Sequence, residues 1–146
     1  MTQADMIAIV KATASDEKLF PEIMCAIVEQ ESSWNPWSIR YEPAFYEHYV
    51  APLLKSGEVK SQTEATARAI SWGLFQTMGQ SVRELGFAGP MASLCDPATS
   101  AIWGCKLFTV KLGHAGEDLE KALALWNGGG NPLYPGQVLA RVEKYK

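Results

Sequence analysis

Apolar residues return at helical intervals through most of this chain, and the sharpest case lies between Phe20 and Pro36. There Phe20, Met24, Ile27 and Glu31 follow one another at spacings of four, three and four, so they share one stripe of a helix. At about 100° per residue, Glu31 lies within roughly 40° of Met24 and Ile27. Glu29 points nearly the opposite way and reads as an ordinary solvent-facing acid. Pro21 suits the first turn, and the helix is predicted to run to about Ser32, ahead of an Asn35-Pro36 break.

The same reading predicts further helices. One spans about Gln3 to Thr13, with Thr2 as N-cap, and Pro43 opens another through Phe45, Tyr46 and Tyr49. Ser61-Gln62-Thr63-Glu64 has the form of a capping box for a helix ending near Ile70. Leu74 to Leu85 is predicted helical and closed by Gly86, and Asp96-Pro97 starts a long apolar helix that Gly113 stops. Glu117 to Trp126 follows and ends in Asn127 and three glycines, and a last helix covers about Gln137 to Tyr145. Strand signals are almost absent and the connections are short. The expectation is a mostly α fold with little or no sheet, residues 1–146 forming one compact domain.

Composition narrows the function. The chain of 146 residues is long enough to close a core without disulfides or metal. A net charge of −3 argues against a phosphate-binding surface, so no nucleic-acid partner is expected. No stretch reaches the roughly 20 apolar residues of a membrane span, so no membrane partner is expected. The opening MTQADMIAIVKATASDEKLF lacks the basic region, apolar run and cleavage site of an export signal. Cys25, Cys95 and Cys105 lack metal-ligand spacing; Cys25 and Cys105 read as core residues, with a Cys95–Cys105 bridge as the lesser alternative. His48 and His114 read as surface or loop residues. No metal or cofactor is expected.

Glu31 is then the residue with chemistry to offer. A carboxyl held against apolar neighbours resists ionisation, which suits it to donate a proton near neutral pH. A plain structural role, bonded to a nearby backbone group or an arginine, fits the helix alone equally well. Three other islands bear on the choice. Ser71-Trp72-Gly73-Leu74-Phe75-Gln76-Thr77-Met78-Gly79 offers a glycine for close ligand approach and a glutamine able to read hydroxyl or acetamido groups, or else a helix-start turn over a buried Trp72. Trp126-Asn127-Gly128-Gly129 offers a flat face and an amide, or else an ordinary helix C-cap. Tyr134-Pro135-Gly136 precedes the last helix.

In this order and spacing the islands resemble the catalytic domain of the soluble lytic transglycosylases, relatives of goose-type lysozyme. That family's pattern is E-S-x-x-(N/D)-P, then G-L-M-Q, then x-Y-N-x-G, then a tyrosine before a final helix. Here these read Glu31-Ser32-Ser33-Trp34-Asn35-Pro36, Gly73-Leu74-Phe75-Gln76, Trp126-Asn127-Gly128-Gly129 and Tyr134. The resemblance runs from about residue 20 to 146. Phe75 stands where methionine is usual, and Trp126 where tyrosine is usual, which removes a hydroxyl able to touch substrate or acid. The segment from Trp37 to Ile70, with Arg40-Tyr41-Glu42-Pro43, looks like the insertion of phage members.

The resemblance implies a lysozyme-like helical fold and cleavage of the β-1,4 bond between N-acetylmuramic acid and N-acetylglucosamine in peptidoglycan, leaving a 1,6-anhydro end. Glu31 is implied as the catalytic acid. Gln76 and Asn127 are implied to hold acetamido or hydroxyl groups, and Phe75, Met78 and Trp126 to line the cleft. Ser71, Ser81 and Tyr134 complete the implied substrate-binding set. The alternatives are a water-using muramidase with Glu42 as second carboxylate, and a silent glycan-binding or phage structural module. For Glu42, a local pair with Arg40 is the favoured expectation. The setting implied is phage-induced lysis by a monomer made in the cytoplasm of a Gram-negative host and acting on glycan strands of its wall.

Overall fold

Residues Ile23 to Val28 are all buried, so the second helix has no polar face over more than one full turn. A helix apolar all round must be surrounded. The computed structural model, which describes residues 1–146, shows how. Helix α2 (Pro21–Ser32) packs against α1 (Gln3–Asp16) on one side. Against its other faces lie α9 (Tyr134–Leu139) and a closing 3-10 turn (Val142–Tyr145). Helix α7 (Pro97–His114) lies on α1 and on α8 (Leu119–Asn127), and completes the largest core. The stripe read from the sequence was too narrow, because Ile23, Cys25, Ala26 and Val28 are buried as well, and its head, Phe20, is 62% exposed.

The fold is mostly α, as expected. Thr2 caps α1 in a reciprocal capping box with Asp5, and Asp96 caps α7 by accepting from the Thr99 amide at 2.9 Å. Ser61 caps α5 (Gln62–Arg68), but Glu64 does not reach back to it. Its carboxylate instead takes Arg68 at 2.9 Å and Arg83 at 2.7 Å, tying α5 to α6 (Gly79–Glu84). Helix α3 (Pro43–Phe45) continues through a π-helical turn (Tyr46–Val50) into α4 (Ala51–Ser56), and Val50, Val59, Ala65 and Ala69 form a small core of their own. All three cysteines are free and buried, so Cys95 and Cys105 are not bridged.

Two predicted helices are corrected. Leu74 to Leu85 is not one helix: β2 (Ile70–Trp72) and β3 (Thr77–Met78) form a tight hairpin, and helix begins only at Gly79. Strand β1 (Ile39–Tyr41) adds to β2 antiparallel, with Arg40 opposite Ser71, giving a three-stranded sheet in the order β1-β2-β3. The hairpin turn needs left-handed backbone at Gly73 (φ +66°) and Gln76 (φ +49°), which no helix contains. Gly73 also has no room for a side chain, since a Cβ there would lie 2.1 Å from the Leu94 carbonyl oxygen. The last helix starts at Tyr134, three residues before the expected Gln137, and breaks into the 3-10 turn after Leu139.

Glu29 is likewise not a free surface acid. It accepts from Lys144 Nζ and from the Tyr145 hydroxyl, each at 2.5 Å, with Arg141 Nε 3.6 Å away. Tyr145 in turn accepts from the buried Trp34 indole at 2.8 Å. Trp34 and Ser33 both sit in the left-handed region (φ +64° and +50°), a conformation that costs on the order of 1 kcal/mol or more each. The C-terminal turn therefore holds the strained end of α2 in place.

Phe75 is fully buried, and a Cβ added to Gly104 on α7 would meet its ring at 2.4 Å. Gly104→Ala is expected to overpack this contact and lower stability by about 1–3 kcal/mol. Denaturant unfolding checks this, and an unchanged midpoint would mean that the ring yields.

Candidate active site

Glu31 occupies the last turn of α2, where the buried helix ends and the chain reverses. Two other helix ends meet it. Trp126 lies in the final turn of α8, which stops because Gly128 and Gly129 take left-handed backbone (φ +77° and +79°). Tyr134 begins α9, set by a turn in which its amide donates to the Asn131 carbonyl at 3.1 Å and Pro135 opens the helix. The Tyr134 hydroxyl donates to Glu31 Oε1 at 2.5 Å, and the Trp126 indole donates to the same oxygen at 3.1 Å.

Both donors fall on Oε1, while Oε2 has no partner within the protein. An oxygen that accepts two donors is the carbonyl-like one when the acid is neutral, which leaves Oε2 as the oxygen free to carry a proton. Burial raises the Glu31 carboxyl above the ordinary carboxylate range, and the bonds from Tyr134 and Trp126 and the charge of Arg40 only partly offset it. Burial and the facing carboxyl push the Tyr134 phenol upward as well, so it remains a donor.

The carboxyl opens on a cleft of about 400 Å³. One wall carries Arg40 and Glu42, which form an ion pair, together with Phe45. The sheet and α6 supply Ser71, Gln76, Thr77, Met78 and Ser81, and α7 and α8 supply Leu107, Lys111, Trp126 and Asn127. Of the nine residues expected at the site from the sequence, seven line this cleft. Tyr134 does not, being 3% exposed and placed behind the acid. Nor does Phe75, which lies in the core and packs edge-on to Trp126 at 6.2 Å, as Phe108 does at 5.8 Å. The resemblance placed Phe75 in the cleft, but here the tight turn between β2 and β3 directs its ring into the core against Gly104.

Gln76 has less freedom than expected. Its amide donates to the carbonyls of Ser38 and Gly73, each at 2.9 Å, and its Oε1 lies 3.1 Å from Ser71 Oγ. It braces the hairpin against β1. Asn127 is the reverse case, since its Nδ2 is buried without an acceptor. The sequence reading missed Phe45, Thr77, Leu107 and Lys111. Only Leu107 and Lys111 left a signal, the four-residue spacing that puts them on one face of α7. Trp126 also corrects an expectation, because its indole N–H supplies the contact to the acid that loss of a tyrosine hydroxyl had put in doubt.

Comparison with known proteins gives one match. The family described as Transglycosylase SLT domain matches residues 8–137. No curated protein and no solved structure matches the chain.

The raised Glu31 carboxyl has a consequence for stability. Its folded value lies above its unfolded one, so its contribution is lost as pH rises from the ordinary carboxylate value through the raised one. Glu31→Gln, neutral at every pH, is expected to match the wild-type melting temperature in acid and exceed it near neutrality. Melting curves of both proteins across that range check this, and a variant less stable at neutral pH would contradict it.

Proposed function

The chain belongs to the transglycosylase SLT family and is a peptidoglycan lytic transglycosylase, a lyase acting on glycan, and from that premise we propose a single-acid route that cleaves the N-acetylmuramic acid–N-acetylglucosamine β-1,4 bond. The observation that carries it is the carboxyl of Glu31, held through Oε1 and presenting Oε2 to the cleft. Residues 1–146 act in this reading as one catalytic domain.

Protonated Oε2 gives its proton to the glycosidic oxygen as the C1–O bond breaks. The muramic acid's own acetamido carbonyl supports the positive charge that grows at C1. Oε2, now ionised, takes the proton of the C6 hydroxyl as that oxygen bonds to C1, which closes the 1,6-anhydro ring and returns Glu31 to its acid form. No water is consumed. A two-carboxylate hydrolase would need a second free carboxylate beside the scissile bond. Glu42 is the only other acid in the cleft, and Arg40 holds it. Asn127 lines the cleft on the side where an acetamido or hydroxyl group of the substrate would lie, and Ser71, Gln76, Met78 and Ser81 form the facing wall.

The wider setting we propose is phage-induced host lysis. Its support is the segment from Trp37 to Ile70, which resembles the insertion of phage members and supplies Arg40, Glu42 and Phe45 to the cleft.

Mass spectrometry of products from purified Gram-negative peptidoglycan is expected to show 1,6-anhydro ends, and reducing ends one water heavier would overturn the mechanism. Glu31→Gln is expected to lose about 10²-fold or more of the activity. Tyr134→Phe and Trp126→Phe each remove a bond that favours the ionised acid, so the alkaline limb of the pH–rate profile should move to higher pH. The move should be larger for Tyr134→Phe, the stronger of the two bonds in its effect on the acid. A limb that stays in place in both variants would show that Glu31 is not the titrating group.

A further inference from the structure

The chain carries thirteen lysine and arginine side chains, and nearly all are accounted for. The four arginines pair with Glu42, Glu64 or Glu29. Lys121, Lys144 and Lys146 pair with acids, Lys11 donates to the Tyr145 carbonyl, and Lys106 lies over the Trp103 ring at 4.9 Å. Lys18, Lys55 and Lys60 are unpaired but exposed, where water solvates them. Lys111 is the exception. It is half-buried, lines the cleft, and has neither an ion pair nor a hydrogen bond.

Arg40, the other cation of the cleft, is neutralised by Glu42, so Lys111 is the cleft's one uncompensated charge. The free ammonium on this wall therefore calls for an anionic group. The sugar rings of a peptidoglycan strand are neutral, and its anions are the carboxylates of the stem peptides carried on muramic acid. We propose that Lys111 is a specificity residue that pairs with a stem-peptide carboxylate, so that the cleft selects strands whose peptides are ionised. The inference rests on the peptidoglycan-cleaving reading above and deepens it.

Lys111 also lies in the last turn of α7, where a cation favours the helix dipole. That role would make it a stabilising residue indifferent to substrate charge, and the test separates the two. Binding of soluble, uncross-linked glycan strands is measured by calorimetry in the Glu31→Gln background, so that nothing is cleaved. The probes are native strands and the same strands with peptide carboxylates converted to methylamides. Native strands are expected to bind about tenfold more tightly at low salt, with the ratio shrinking as salt is added. Lys111→Gln and Lys111→Ala should both bring the ratio close to one, and Lys111→Arg should retain most of it. A ratio near one in the Glu31→Gln protein itself, or one that survives both neutral substitutions, would overturn the proposal. Binding is read without turnover, so this result stands or falls separately from the identity of the cleaved ends.

Discussion

The structure is organised around the placement of one carboxyl at the end of a helix whose middle is buried all round. Glu31 finds no polar partner on its own helix, because the turns before it, Ile23 to Val28, are buried on every side. Its polar partners must come from elsewhere, and they come from two other helix ends, α8 through Trp126 and α9 through Tyr134. Burial still prevails over those bonds, and the group remains harder to ionise than an ordinary carboxylate. The glycine stop after Asn127, the Asn131 turn and the Phe75 and Phe108 edges against Trp126 all serve the same geometry. Each fixes a donor that would otherwise have conformational freedom to lose.

Glu29 and Glu31, two residues apart, show how environment assigns different work to the same side chain. Burial acts upward on both. At Glu29 the ammonium of Lys144, the Tyr145 hydroxyl and the charge of Arg141 outweigh it and hold the carboxylate ionised. At Glu31 the two partners are neutral donors, and burial wins. One acid anchors the C-terminal turn to the back of α2, and the other faces the cleft. Since Glu29 also braces Trp34 through Tyr145, the ion pair on one side of α2 helps hold the turn that ends the helix on the other.

The sequence made Glu31 legible because helical phase alone separates it from Glu29. It also carried most of the helices, whose caps and proline starts are local. What escaped it depended on contacts distant in the chain. Strands of three, three and two residues are too short to show alternation, and the hairpin exists because Gly73 fits against Leu94 and Gln76 ties back to Ser38. The resemblance placed Phe75 in the cleft, whereas the hairpin turns it into the core, and reading the hairpin as helix left Thr77 unnoticed. The role of Glu29 was hidden for the same reason, since its partners lie more than a hundred residues further on.

Tryptophan at position 126, where the family pattern has tyrosine, changes more than shape. A tyrosine hydroxyl beside a carboxyl can donate or accept, so it tolerates the acid proton on either oxygen. An indole N–H can only donate. Its bond to Oε1 therefore fixes that oxygen as an acceptor both before and after proton transfer, and with Tyr134 on the same atom the proton is left to Oε2 alone. The substitution thus keeps the contact while removing an ambiguity. In the single-acid route proposed above, the carboxyl would give its proton toward the cleft and take the next one at the same atom.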